Sequence, residues 1–297
     1  MRSNNTHFNI LASFAYTGKN KKFHNALIEE SVSGNANVMI DSGAFTLFNA
    51  KQPRKWLTLD NYCNYIEGIE QNIEKYVMLD VIGNDKASKD NYEIMLKRGF
   101  NPMFVVTMAD NDISYVSDAV KNNKHLCVAG GVTTKGDWMS KRFQDVYKQT
   151  NGLLHGLGYV TYPKIFQLPL HSVDSSSWNQ SAQAYGILSY WNNGIKSARW
   201  LDILQKKKKM PFGLMEALER IKVTPKDFNN TNNHKGQYSI GSYLNSVAYT
   251  EYQKYCKRLN LNLFLAVANT AQFNILLEVN ENTNNLNWKK WRHKHLS

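Results

Sequence analysis

The chain has 297 residues, of which 42% are hydrophobic and 12% aromatic, and this composition excludes a disordered chain and allows a sizeable buried core. Lysine and arginine outnumber aspartate and glutamate by 12, so we expect a polyanionic partner, with nucleic acid ahead of a membrane surface. No apolar run reaches the ~20 residues of a membrane-spanning helix, and the start of the chain lacks the apolar centre of a signal peptide. The sequence therefore predicts a soluble, cytoplasmic protein with no membrane partner.

The three cysteines, Cys63, Cys127 and Cys256, are widely spaced. An odd number at such spacing predicts neither a disulfide framework nor a zinc knuckle. We expect reduced cysteines that are mostly buried.

Short apolar segments alternate with amphipathic helical segments in the first half of the chain. The predicted strands are 8–16, 36–45, 75–83, 102–108, 125–132, 153–160 and 165–170, and the predicted helices include 59–74, 89–98, 113–122 and 138–149. This alternation predicts a parallel sheet. Seven or eight such units favour a (β/α)8 TIM barrel of the α/β class over a doubly wound sheet.

The alternation ends near residue 174. Segments 184–191 and 195–201 flank Asn192-Asn193-Gly194, a turn sequence that predicts a β-hairpin inserted on the barrel. Helices are predicted for 212–221 and 240–259, and 261–269 is predicted to be the eighth strand. We expect a single domain over 1–297, with the hairpin insertion at about 184–201 and a basic helical part at about 205–297.

Two basic segments are candidates for contact with phosphate groups. The cations beside the predicted hairpin are Arg199, Lys206, Lys207, Lys208 and Lys209. Consecutive lysines either form a solvated face or bind phosphate, and the charge of the chain leads us to assign this set to nucleic-acid binding. Segment 288–294 interleaves tryptophans with cations, which suits either base stacking or a terminal helix docked by its tryptophans.

A carboxylate follows the last of the regularly spaced strands. Residues 165–170 are mostly apolar, and the chain then becomes small and polar around Asp174. A carboxylate at such a junction is poorly solvated and held in place, as a nucleophile or proton carrier must be. Asp174 is therefore the candidate nucleophile. The alternative is that it caps the next helix.

Two other predicted strands also end in aspartate, the second in Asp41 and the third in Asp80. The carboxyl ends of barrel strands form one mouth, where enzymes of this fold hold their catalytic residues. Carboxylates that meet there raise one another's pKa unless they divide their tasks. Glycines near the ends of other strands, such as Gly130 and Gly156, let the backbone approach a flat ligand. We expect a site for a planar, polar molecule.

Several motifs occur in order along the first two thirds of the chain. They are DSGAFT at 41–46, Asp80 after an apolar strand, AGG at 129–131, HGLG at 155–158, SVDSSSW around Asp174, and a tract ending in NNGIKSARW. DSGAFT is similar to the DSGGFQ signature of the tRNA-guanine transglycosylase superfamily, and the later motifs follow in that family's order. The resemblance covers roughly residues 8–201 and implies a TIM barrel.

The resemblance also implies a reaction. In that family an aspartate at the barrel mouth attacks C1′ of a guanosine, and a 7-deazaguanine base then displaces the enzyme. Asp174 matches the nucleophile, Asp41 the aspartate that assists proton transfer and base binding, and Asp80 the residue that reads the guanine edge. Further implied substrate contacts come from Phe45, which would stack on the purine, and from Ser42, Gly130, Gly131 and Gly156.

Family members that act on tRNA carry zinc-binding cysteines after the nucleophile, whereas only Cys256 follows Asp174 here. We therefore expect neither zinc nor any other cofactor. A short chain of this kind with SVDSSSW most resembles the DpdA group, especially its compact phage-type members, which insert 7-deazaguanines such as preQ0 into DNA. The implied partners are DNA and a free 7-deazaguanine base, in the host cytoplasm if the chain is phage-encoded. The alternatives are tRNA as the nucleic acid, or a non-catalytic nucleic-acid-binding barrel.

Four further polar residues belong to the predicted surroundings of Asp174. His171 either orients Asp174, touches the sugar, or is structural. Gln167, on a predicted strand, either faces the barrel interior and hydrogen-bonds the base or makes a structural hydrogen bond. Both are assigned to substrate binding. His155 is expected in the core or pocket wall, and Ser13 at the pocket lining.

Overall fold

A computed structural model describes residues 8–52, 54–107, 114–129, 138–229 and 239–296. The fold is α/β. In this part of the chain the main sheet contains β1 (Phe8–Ser13), β2 (Ala36–Asp41), β3 (Lys75–Tyr76), β4 (Phe104–Val106), β5 (His125–Ala129), β6 (Leu153–Leu157), β7 (Leu170–Ser175) and β10 (Asn262–Val267). Its strands are all parallel and lie in the order β3-β2-β1-β10-β7-β6-β5-β4. A second, antiparallel sheet pairs β8 (Ile187–Trp191) with β9 (Ile195–Arg199).

Helices follow most of the strands. They are α1 (Phe14–Thr17), α2 (Lys21–Val32), α3 (Ala44–Phe48), α4 (Leu59–Glu67), α5 (Asp85–Lys97), α6 (Ser114–Asn122), α7 (Trp138–Thr150), α8 (Ser177–Tyr185), α9 (Trp200–Leu204), α10 (Phe212–Arg220), α11 (Ile240–Arg258), α12 (Thr270–Glu281) and α13 (Trp288–Leu296). Short 3₁₀ helices occupy Glu70–Asn72, Lys164–Gln167 and Pro225–Asn229. Because the strands are parallel, their carboxyl ends all lie at the same edge of the sheet.

The two outer strands of the sheet approach each other. An isolated parallel bridge joins Val77, just after β3, to Met103, just before β4. The N–H of Met103 donates to the carbonyl of Tyr76 at 2.9 Å, and the carbonyl of Met103 accepts from the N–H of Met78 at 3.0 Å. The sheet is therefore curled enough to bring its edges into contact.

The strand predicted at 261–269 is confirmed as β10, which pairs with β1 on one side and β7 on the other. The helix α11 covers this strand and is buried around most of its circumference. Two of its buried amide side chains are hydrogen-bonded: Gln253 Nε2 donates to the carbonyls of Asn9 at 2.8 Å and Leu263 at 2.7 Å, and Asn245 Nδ2 donates to the carbonyl of Ile187 at 3.1 Å. Such bonds allow a helix that contains serine, asparagine and glutamine to lie in the interior.

The strand predicted at 165–170 is wrong. Lys164–Gln167 is a 3₁₀ helix, and the strand is β7, which includes Asp174 within its last residues. Pro169 has no N–H to give to a ladder, so strand pairing starts only after it. The sequence of β7 resembles a loop because Ser172 and Asp174 contact His155 of the neighbouring strand, where the usual apolar pattern does not apply.

The basic tail is a helix docked by its tryptophans. Trp288 and Trp291 of α13 are 3% and 1% exposed, and Trp291 packs on Tyr243 of α11 with ring centroids 5.2 Å apart. These two tryptophans are thus unavailable for base stacking. Within the described ranges, no helix is both long and apolar enough to cross a membrane.

Candidate active site

Asp174 lies near the carboxyl end of β7, and its side chain is 11% exposed. Its Oδ1 atom accepts a hydrogen bond from the N–H of Gly158 at 2.7 Å and lies 3.2 Å from Nε2 of His155. The other ring nitrogen of His155, Nδ1, lies 2.8 Å from Oγ of Ser172. Two residues of β7 therefore fix the imidazole, and the imidazole and a backbone amide fix one oxygen of Asp174.

The second carboxylate oxygen of Asp174, Oδ2, accepts no hydrogen bond from any described residue. The alternative in which Asp174 caps the next helix is wrong, because α8 begins after Ser176 and the bonds of Asp174 go to β6 and the turn that follows it. A carboxylate with one anchored oxygen and one free oxygen is oriented for attack on an electrophile.

Asp41 ends β2, directly opposite Ser13 at the end of β1. Its Oδ2 accepts from the N–H of Gly43 at 3.0 Å, and the hydroxyl of Ser13 also hydrogen-bonds to this carboxylate. Gly43 has a φ of +88°, and an added Cβ would lie 2.7 Å from the Cβ of Ala15. The glycine of DSGAFT is therefore required by the turn that positions Asp41.

Removal from water raises the pKa of Asp41, and the charge of Asp174 raises it further, while the hydrogen bonds from Ser13 and Gly43 oppose both effects. Burial also raises the pKa of Asp80 to about 7, with the charge of Asp41 as the second cause. At neutral pH this carboxyl group is divided between its acid and ionised forms. Asp41 thus lies within electrostatic range of Asp174 in β7 and of Asp80. The strand predicted at 75–83 is shorter than expected, because β3 ends at Tyr76 and Asp80 lies in the segment that follows it.

Cys127 of β5 is the residue that sequence reasoning missed. It is fully buried, and burial raises the pKa of its thiol, with further contributions from the charges of Asp174, Asp80 and Asp41. Cys127 therefore lies among the three carboxylates as a neutral thiol, not as a nucleophile. Its position next to His155 in the β5–β6 pair could have been found only by aligning the two strands.

His155 was predicted to lie in the core or pocket wall. In the structure it is His155, and not His171, that contacts Asp174. His171 starts β7 and packs on His125 at the start of β5, with ring centroids 5.3 Å apart. Burial lowers the pKa of His171, and the nearby charge of Lys75 lowers it further. His171 thus lies toward the amino ends of the strands, so its predicted contact with Asp174 is wrong.

Gln167 is also displaced from its predicted position. It is exposed and belongs to the 3₁₀ helix before β7, so it does not face the sheet interior from a strand. Ser42 is fully buried, and its Oγ accepts from the N–H of Ala44 at 3.4 Å. The structure gives Ser42 a role in the turn after β2 and does not expose it to a ligand.

The remaining predicted residues are distributed as follows. Phe45 is 56% exposed on α3, four residues after Asp41. Gly156 lies within β6, where an added Cβ would meet the Phe143 ring at 3.2 Å, so its lack of a side chain allows α7 to pack closely. Arg199, Lys206, Lys207, Lys208 and Lys209 are exposed around α9. Gly130 and Gly131 lie outside the described residues.

Among the residues that the structure describes, no group of three or more histidine, cysteine, aspartate and glutamate side chains is arranged to hold a metal ion. A comparison of the chain with models of protein families gives no match, and neither does a comparison with curated proteins.

Proposed function

We propose that the chain is a DNA-guanine transglycosylase, an enzyme that exchanges a guanine base in DNA for a free 7-deazaguanine such as preQ0. The observation that carries the proposal is the state of Asp174, which is anchored through Oδ1, free at Oδ2, and near enough to Asp41 for its charge to raise the pKa of that carboxyl group. A nucleophile beside groups that can hold a proton is the arrangement that double displacement at an anomeric carbon requires.

In the first step, Oδ2 of Asp174 attacks C1′ of the target nucleotide as the C1′–N9 bond breaks. The bonding electron pair leaves with the guanine, which takes a proton from a neighbouring carboxylic acid. Asp41 is the proposed donor, because the charge of Asp174 and removal from water both favour its protonated form. The product of this step is a covalent ester between Asp174 and the deoxyribose.

In the second step, N9 of the incoming base attacks C1′ and the ester bond to Asp174 breaks. The N9 proton returns to the carboxylate of Asp41, so the enzyme ends in its starting state. His155 holds Asp174 in place throughout by its contact with Oδ1. Because the same carboxylates act in both directions, the exchange needs no cofactor for its proton balance.

Asp80 is the proposed reader of the base. The guanine edge presents N1–H and N2–H donors, and an ionised carboxylate accepts both. Phe45, exposed on α3 beyond Asp41, is available to stack on the purine. Since both a 7-deazaguanine and guanine carry the same donor edge, one site serves the leaving and the entering base.

The proposed architecture is a closed (β/α)8 barrel in one domain, with the β8–β9 pair as an inserted hairpin and a helical carboxyl-terminal part. The bridge between Val77 and Met103 supports closure, and so does the insertion of β10 between β1 and β7. DNA is favoured over tRNA because the cysteines that bind zinc in tRNA-directed relatives are missing from the sequence after Asp174.

The proposal is tested by base exchange. Purified protein is incubated with radiolabelled guanine or preQ0 and with either duplex DNA, single-stranded DNA or tRNA, and label in the polymer is counted. We expect incorporation into DNA that Asp174→Asn abolishes and that Asp90→Asn, which alters an exposed carboxylate of α5, does not. Incorporation into tRNA alone would make the tRNA enzyme the correct assignment. Binding of nucleic acid without any exchange would overturn the enzyme proposal in favour of a binding module.

A further inference from the structure

A cationic cavity lies next to α1, the helix that follows Ser13. It is open to solvent, has a volume of about 520 Å³, and is lined by Lys19, Ala50, Lys51, Gln52, Arg54, Lys55 and Trp56. Four of these side chains carry a positive charge, and no acidic side chain is among them. We call this feature the cationic groove.

Three contacts fix one wall of the cationic groove. Nη1 of Arg54 donates to the carbonyl of Ala15 at 3.2 Å. Trp56 packs on Phe14 with ring centroids 5.2 Å apart, and Nζ of Lys19 lies 5.0 Å from the centroid of the Trp56 ring. The wall is thus attached to α1 and is organised before any ligand arrives.

The other lysines are left available. Lys51 and Lys55 are exposed and make no ion pair with any described residue. Several like charges around one cavity repel each other and concentrate anions from solution. The groove is therefore electrostatically complementary to an anion.

The groove is connected through α1 to the turn that follows Asp41, because Arg54 bonds to Ala15 and Ala15 packs against Gly43. The helix α1 follows directly from Ser13, which hydrogen-bonds to Asp41, and α3 begins three residues after Asp41. Six of the seven groove residues, 50–52 and 54–56, come shortly after α3 in the sequence, and Phe45 and Phe48 of α3 are 56% and 63% exposed. One short stretch of chain thus carries a carboxylate, then exposed aromatics, then cations.

We infer that the cationic groove binds the backbone phosphates of the nucleic-acid strand that flanks the target nucleotide. The inference rests on the proposed function for the position of that nucleotide, and it assigns phosphate binding to Lys51 and Lys55, in addition to the lysines around α9. Cations distributed along an open cavity suit a chain of phosphates, and exposed aromatic residues that lie between Asp41 and these cations in the sequence suit unstacked bases.

The test is the salt dependence of binding. A fluorescent single-stranded oligonucleotide that contains guanine is titrated with full-length protein, and polarisation is measured at several salt concentrations. The double variant Lys51→Gln/Lys55→Gln is expected to bind roughly tenfold more weakly or worse, with the salt slope reduced by about 1.4, because each single-strand phosphate contact contributes about 0.7. Arg54 is left intact because it also holds the wall in place.

The matched control removes the same charge elsewhere. Lys97→Gln/Lys148→Gln alters exposed lysines in the last turns of α5 and α7, at the amino-terminal edge of the sheet. The control should bind like the wild type. Equal loss in both double variants, or unchanged binding in the groove variant, would overturn the inference, because net charge and not a groove would then determine affinity.

Two further measurements distinguish a nucleic-acid strand from a free anion as the ligand, and the groove assignment from the proposed function. Displacement of the oligonucleotide by millimolar inorganic phosphate at constant ionic strength would overturn the inference, because the groove would then be a site for a free anion. Urea denaturation of both double variants checks that they fold. If base exchange is absent while the groove variant alone loses binding, the proposed function fails and the groove assignment stands. If exchange proceeds while the groove variant binds like the wild type, the groove assignment fails and the proposed function stands.

Discussion

Replacement of Asp80 by asparagine should stabilise the protein above neutral pH. Burial and the charge of Asp41 raise the pKa of Asp80 from its ordinary 3.8 to about 7. Between these two values the folded protein holds a proton that the unfolded chain has released, so the free energy of unfolding falls as pH rises through this window. Asp80→Asn removes the titrating group and with it this loss.

The magnitude follows from the same shift. About three pKa units at about 1.4 kcal/mol each give an upper value of about 4 kcal/mol at pH 8. Coupling to Asp41 and partial exposure of Asp80 make the effect smaller than this upper value. We therefore expect Asp80→Asn to raise the free energy of unfolding by about 2–4 kcal/mol at pH 8. At pH 4 the wild-type side chain is a neutral acid of similar shape, and the two proteins should be equally stable.

Urea denaturation of the wild type and of Asp80→Asn at pH 4, 6 and 8 provides the measurement. Asp90→Asn, on the exposed side of α5, is the control and should keep the pH profile of the wild type. A difference between Asp80→Asn and wild type that stays constant with pH, or a loss of stability at pH 8, would refute the reasoning about the carboxylate cluster.

Three other predictions concern the same site. His155→Gln should slow base exchange about 10- to 100-fold with little change in KM, because it loosens Asp174 without contacting the base; steady-state kinetics would detect this, and an altered KM alone would contradict it. Guanine affinity, measured by calorimetry, should fall up to about tenfold per pH unit below 7, because the ionised form of Asp80 accepts the base edge, and Asp80→Asn should remove this dependence. Gly43→Ala should lower the free energy of unfolding by about 2–4 kcal/mol and Gly99→Ala by about 1 kcal/mol, because both glycines have a φ of +88° but only a side chain at Gly43 would clash with its surroundings. Equal losses on urea denaturation would disprove the role of that clash.

The sequence predicts this fold well in the regions where apolar strands alternate with amphipathic helices along the chain. The helix bounds near 138–150 and 240–258 and the late strand β10 follow from periodicity. The failure at β7 has a physical cause. A strand that lines a polar interior carries histidine, serine and aspartate, so its pattern resembles that of a loop.

The candidate site also contains residues that the sequence predicts and residues that it does not. Asp41 and Asp80 were predictable because each follows an apolar strand at the edge where parallel strands end. The partner of Asp174 was not, because both His155 and His171 occur in the motifs and only strand register distinguishes them. In the β6–β7 pair, His155 lies beside Ser172 and reaches Asp174, whereas His171 lies at the start of β7.

The most direct test of the account is intact mass spectrometry of the protein after incubation with a guanine-containing DNA oligonucleotide and no free base, followed by peptide mapping. The account predicts a protein–DNA adduct of the mass expected for loss of guanine, located on the peptide that contains Asp174 and absent in Asp174→Asn. An adduct on another residue, or none while base exchange proceeds, would contradict the assignment of Asp174 as the nucleophile.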